Sequence, residues 1–461
     1  MQLPNGSQAP ALWQMIHWLA HPFSYMDNCA QRYGDIFTTS LGKKFSPVVF
    51  VSNPQAIQQI LTNDTKEYEA PGEQNGLFEP FLGKQSVIGV SGERHRRQRQ
   101  LMMPSFHGER MRAYGQLIGD ITEQVINEWQ IGKPFSVRSS MQKISMRVIL
   151  RAVFGLDEGL RYQQIEELLS TMLDQMSSPL SASLLYFPSL RKDLGAWSPW
   201  GRFVRQRQQI DQLIYQEIAE RREEPDSSRT DILNLLMSAR DESGEPMTDV
   251  ELRDELMTLL LAGHETTATA LTWAMYWIHK LPTVRQKLLE ELDSLGEDLD
   301  PSALFRLPYL NAVCSETLRI YPVGMLTFPR VVRSPVELMG YQFDPGTVVV
   351  GCIYLTHRQE DTYPEPEHFN PERFLDRQFS PYEFLPFGGG ARRCIGMAFA
   401  QFEMKMVLAK ILSRLELALV DNRPTRPIRR GLTSGCSKVR LVVTGQRLQP
   451  SRTLQTVSSS S

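Results

Sequence analysis

The stretch that most constrains this chain runs from Thr248 to Lys280. Thr248 and Glu251 carry the T-x-x-E pattern of a capping box, which starts a helix. The helical pattern then holds to Lys280, where Leu281 before Pro282 ends it. About 33 residues at about 1.5 Å each span roughly 50 Å. The apolar middle, 256–278, carries His264 and Glu265, so it reads as a buried helix of a soluble protein and not as a membrane span. A helix that long and apolar has to cross a core. Hydrophobic residues make up 41% of the 461, enough to build one around it.

The surrounding pattern agrees with a mainly α chain holding a small β-region, folded as a single large domain. Residues 35–51 alternate and are β-branched around a GKKFSP break, which reads as a hairpin. From about 100 to 290 the period is helical, with a loop at 226–229. Residues 309–320 form a shorter helix, 330–354 strands with turns, and 356–383 an ordered meander rich in Pro, Glu and His. Residues 395–414 read as a helix and 437–443 as a last strand. The domain is expected to span 1–445, and 446–461, ending in SSSS, to be a disordered polar tail.

Charge is balanced: 50 basic and 52 acidic side chains give −2, so nucleic acid is not an expected partner. The five cysteines, Cys29, Cys314, Cys352, Cys394 and Cys436, are odd in number and without a C-x-x-C pair. A disulfide framework or four-cysteine zinc site is therefore not expected, and a reducing cytoplasm fits. The N-terminus has neither a basic start nor a long apolar stretch, so no signal peptide or transmembrane anchor is expected.

Four local patterns carry chemistry. In LPFGGGARRCIGMA, Cys394 follows three glycines and two arginines and precedes a helix. Backbone N–H groups, the helix dipole, Arg392 and Arg393 all favour a thiolate, the state that binds a soft redox metal. On the loop alone, a structural cysteine in a glycine turn explains it equally well. Within the long helix, AGHETT places a glycine, a carboxylate and two threonines where helix chemistry is poor, which marks either a kink or a working site. Glu316 and Arg319, at i and i+3, share a helix face. Residues 92–100, GERHRRQRQ, place His95 and Arg99 on one face; out of context the run is a solvated face or a nucleic-acid patch.

Phe387, Gly390, Arg392, Cys394 and Gly396 complete the pattern F-x-x-G-x-R-x-C-x-G, which resembles the haem-binding loop of the cytochrome P-450 family. AGHETT, E-x-x-R and the later P-E-R-F at 371–374 follow that family in order. The resemblance, from about 20 to 445, implies a haem b held by Cys394. It implies that Gly263 admits dioxygen to the backbone, that Thr266 hydrogen-bonds it and that Glu265 relays protons. It implies a buried Glu316–Arg319–Arg373 network behind the loop, with Phe387 against the haem. His95, Arg99, Arg330 and Arg392 would meet the propionates, and Arg97, Arg393 and Lys405 would dock an acidic electron donor.

Such a chain would be a monomeric, cytoplasmic haem-thiolate monooxygenase of the soluble bacterial type. It would take O2 and electrons from NAD(P)H through a ferredoxin or flavodoxin with its reductase. Leu77, Phe78, Phe81, Ala262 and Phe328 would line an apolar pocket for a lipophilic substrate, with 184–200 at its mouth. Fatty-acid-hydroxylating members are the most similar, so a long-chain fatty acid or alkane leads, with terpenoid or aromatic substrates open. A peroxygenase or lipid-rearranging enzyme without reductase and a non-catalytic haem sensor are the alternatives. The intact Glu265–Thr266 pair favours the monooxygenase.

Overall fold

The structure, a computed structural model, describes residues 3–447 except 42–46, 107, 109, 156–158, 178–183, 185–186, 227, 296–300, 422 and 432. Those expected to form the polar tail from 448 onward lie outside it, as does most of the GKKFSP break.

The long helix is Asp249–Lys280, and its capping box is complete. The Glu251 N–H donates to Thr248 Oγ1 at 3.2 Å, and the Thr248 N–H donates to Glu251 Oε2 at 2.8 Å. Pro282, which has no N–H to continue the ladder, opens the next helix. Residues on every face of this helix are buried, Trp273, Leu256 and Leu271 completely. It is therefore a core strut and not a surface amphipathic helix. The Val137–Phe154 helix packs along it. Gly263 permits the approach: a Cβ there would lie 2.7 Å from Ile149 Cδ1.

The β-region is small. Strands Ile36–Thr39 and Val48–Val51 form the expected antiparallel hairpin. Val48–Val51 also pairs in parallel with Val348–Gly351. Arg330–Val332 and Tyr68–Glu69 complete a five-stranded sheet. The last strand is Arg440–Gln446, three residues later than its pattern suggests, paired with Leu415–Leu419 and Pro134–Ser136. The C-terminal helix begins at Met397. Helices with small sheets in one domain confirm the fold class.

Three consecutive charged residues near the start of the long helix hold the segment 82–87. Arg253 Nη1 donates to the Leu82 carbonyl at 3.1 Å, and Asp254 Oδ2 accepts the Gln85 N–H at 2.8 Å. Glu255 Oε1 accepts the Val87 N–H at 2.7 Å, and the Ser86 and Thr258 hydroxyls bond at 2.8 Å. Glu255 is fully buried, and burial pushes its pKa well above the usual carboxylate range. A protonated carboxyl there avoids an unpaired buried charge.

Candidate haem site

Cys394 sits between the turn Gly390–Arg392 and the helix Met397–Arg414. Its N–H donates to the Phe387 carbonyl at 3.0 Å, closing the loop. Gly388 and Gly390 have φ of 65° and 63°, the left-handed region where a side chain is strained. Gly390 also lies against Asp64, so a Cβ there would strike its carboxylate. Asp64 Oδ2 accepts the Ala391 N–H at 2.6 Å and an N–H of Arg330 at 3.1 Å. Asp64 thus ties the loop to the sheet, a role that nothing in the local sequence announces.

Cys394 is the one exposed cysteine of the five, yet burial by surrounding protein pushes its thiol up. The open surface of its sulfur therefore faces an internal hollow. The Gly396 N–H, Arg99 and Arg393 pull the other way. Arg392 was expected among them and is not. Its guanidinium donates to the carbonyls of Ala70 (2.6 Å), Val87 (2.7 Å) and Val90 (2.7 Å). It clamps segment 70–90 over the loop. Because burial outweighs the local donors, the anion at Cys394 needs a metal cation to complete its stabilisation.

The propionate candidates gather as the resemblance implies, with different freedom. Burial first, then Arg392, Arg99 and Arg330, lowers the pKa of His95 to about 4. His95, as a neutral ring, and the three guanidiniums therefore face one another. Arg330 is ion-paired with Asp64 and donates to the carbonyls of Phe328 (2.6 Å) and Gly389 (3.1 Å). Arg392, whose Nε also donates to the Ala70 carbonyl at 3.2 Å, and Arg330 each keep one N–H beyond these bonds. His95 is buried at 7% exposure, and neither its ring nor the Arg99 guanidinium hydrogen-bonds a described residue. Cations crowded this way, with unused donors, call for an anionic partner. A haem, with two carboxylates and an iron for the sulfur, fits the residues present.

Behind the loop, Glu316, Arg319 and Arg373 do come together. Arg319 donates Nε to Glu316 Oε2 at 2.6 Å and Nη2 to Oε1 at 2.8 Å; Arg373 Nε reaches Oε1 at 3.2 Å. Glu316 and Arg319 are completely buried. His357, missed in the sequence, connects this network to the loop. Its Nε2 accepts the Leu385 N–H at 3.0 Å while Nδ1 donates to the Arg319 carbonyl at 3.2 Å. That pattern requires a neutral ring, and burial lowers its pKa to about 3.

Unfolded, an ordinary histidine binds a proton below about pH 6.5. Between that value and the folded pKa of about 3, the unfolded state holds more protons, so stability falls as pH drops. His357→Gln keeps one donor and one acceptor without titrating. Urea midpoints of the variant are expected to fall less steeply than the parent's between pH 6.5 and 4. Equal slopes would contradict the assignment.

In the long helix, Ala262 is exposed between the partly buried Leu261 and Gly263, and the Thr266 hydroxyl donates to the Ala262 carbonyl at 2.5 Å. Residues four apart share a face, so this pair opens toward a hollow. Glu265 is turned aside. Arg138 forks onto it at 2.9 and 3.1 Å, and Gln142 adds a bond at 3.1 Å. Gly263 faces Ile149, which accounts for it by helix packing where dioxygen access was expected.

Among the expected pocket residues, Phe78 meets Phe328 edge-on at 6.3 Å. Leu77 is half-buried against the main core. Phe81 is displaced from that set: it is buried and packs on Phe203 at 4.8 Å. The expected docking patch also dissolves. Arg97 is paired with Asp241 and Glu251, and Lys405 is buried beside Phe305, leaving Arg393 alone exposed.

The family model for cytochrome P450 matches residues 4–441. The chain belongs to the cytochrome P450 family. Cytochrome P450 135B1 of Mycobacterium tuberculosis is 37% identical over 428 residues, 93% of this chain and 88% of that one. Cytochrome P450 135A1 of the same species is 32% identical over 436 residues, 94% of this chain and 93% of that one. The solved structure of retinoic-acid-bound cyanobacterial CYP120A1 superposes with a TM-score of 0.84 at 23% identity, covering 97% of this chain and all of that one. This P450 is a haem-thiolate monooxygenase, an oxidoreductase carrying protoporphyrin IX. No helix among its described residues is long and apolar enough to cross a membrane.

Proposed function

We propose that this P450 inserts one oxygen atom of O2 into a lipophilic substrate, with a long-chain fatty acid or alkane as the leading candidate. A ferredoxin or flavodoxin with its reductase would bring the electrons from NAD(P)H to a monomeric cytoplasmic enzyme. The observation that carries the reading is the Ala262–Thr266 pair, left accessible midway along the long core helix, in a chain whose one exposed cysteine is enclosed by surrounding protein. Haem, when bound, supplies the iron that activates dioxygen, with Cys394 as its ligand. The Thr266 proton rests on the Ala262 carbonyl, so its oxygen lone pairs face the hollow and can hold a water. With rotation about Cβ–Oγ the hydroxyl can turn its own proton inward and give it up as its oxygen takes one from that water, so the threonine stays neutral.

Glu265 is one residue away, and its carboxylate is held by Arg138 and Gln142. Proton supply to Thr266 therefore requires that fork to loosen. Apolar side chains at Phe78 and Phe328 exclude bulk water.

Incubation with NADPH, ferredoxin and reductase should convert fatty acids or alkanes to mono-oxygenated products, and peroxide alone should not. Peroxide-only turnover would favour the reductase-free alternative. Thr266→Val removes the hydroxyl and keeps the shape. Product formed per NAD(P)H consumed is expected to fall by about tenfold or more, with haem content unchanged. An unaltered yield would remove Thr266 from the reaction.

A further inference from the structure

A pocket of about 520 Å³ opens between residues 76–80 and the helix Pro199–Glu223. Pro80, Trp200, Phe203 and Val204 give it an apolar wall, into which Arg207 is set. The Arg207 side chain is 29% exposed, and its Nε is buried without an acceptor. Its ion-pair neighbour, Asp211, lies 3.7 Å away, beyond hydrogen-bond reach. Asp211 is already held by Arg253, whose Nε donates to it at 2.7 Å and whose Nη2 donates to the same oxygen.

Two guanidiniums thus compete for one carboxylate, and the better-buried Arg253 has it. Burial and the Arg253 charge push the Arg207 pKa down. Glu79, on the rim, acts on Arg191 and not on Arg207. A planar fork with unused donors in an aromatic-walled pocket matches a ligand with a carboxylate head and an apolar body.

We propose that this pocket binds the carboxylate of an amphiphilic acid, with Arg207 as the anchor and Trp200 and Phe203 against the adjoining hydrocarbon. This rests on the lipophilic-substrate reading above and narrows it to acids over alkanes. Phe203 continues inward to Phe81 at 4.8 Å. Arg253, which fixes the Asp211 side of the pocket, precedes the exposed Ala262 by nine residues, about 13 Å of helix. A head group held at Arg207 leaves the far part of a long chain, and not the carbons beside the carboxylate, at the Ala262–Thr266 face.

Equilibrium dialysis of the haem-loaded protein with dodecanoate and with methyl dodecanoate tests this. Dodecanoate should bind the parent more tightly than the ester does. Arg207→Gln should weaken dodecanoate about tenfold or more and leave the ester within about twofold, while Arg207→Lys should retain part of the preference. Unchanged dodecanoate affinity in Arg207→Gln, or a parallel loss for the ester, overturns the Arg207 assignment and leaves the lipophilic-substrate reading standing. Failure of the parent to bind either compound overturns both. An unchanged melting temperature of Arg207→Gln shows that the fold is intact.

Discussion

Replacing Arg319 with alanine is expected to give a chain that does not retain haem. Arg319 and Glu316 are completely buried, and the guanidinium makes two of the bonds that neutralise the carboxylate. Arg373 approaches the same carboxylate at 3.2 Å on one oxygen and cannot replace both. Removing one member of a buried pair costs about 3–5 kcal/mol, because the remaining charge stays desolvated. A native domain has only about 5–15 kcal/mol in total, so the loss falls within reach of unfolding. It also falls where it matters: the Arg319 carbonyl accepts from His357, and His357 holds the Leu385 N–H at the entrance to the cysteine loop. The haem-to-protein ratio of purified Arg319→Ala, measured beside its thermal melt, checks this. Full haem occupancy with a parental melt would show that the network is not what supports the loop.

The second large effect is expected from Cys394→Ser. The substitution keeps nearly the same shape and leaves the Phe387 carbonyl bond to the backbone N–H in place. The chain should therefore fold. What is lost is the soft, easily ionised ligand, since a serine hydroxyl does not form an anion at neutral pH with the donors present here. Arg99, Arg393 and the Gly396 N–H do not outweigh burial even for the more acidic thiol. Monooxygenase activity is expected to fall below detection, measured as product after incubation with the donor system.

Legibility divided along physical lines. The capping box at Thr248, the Glu316–Arg319 spacing and the cysteine loop are local patterns, readable because their partners lie within a few residues. Asp64, His357 and Arg138 were not legible. Asp64 meets Arg330 across 266 positions, and Arg138 meets Glu265 across 127. No periodicity predicts such pairs. Arg392 and Arg97 were legible as cations but not in their contacts, since each found carbonyls or carboxylates delivered by segments distant in the chain. Gly263 was legible as a helix anomaly, but the cause, Ile149 on a neighbouring helix, is a tertiary contact.

The central claim is that an iron is held by the sulfur of Cys394, and the carbon monoxide difference spectrum of the dithionite-reduced protein tests it most directly. The account predicts the red-shifted band of thiolate ligation in the parent and its disappearance in Cys394→Ser. A parent without that band, or a variant that keeps it, would contradict the claim.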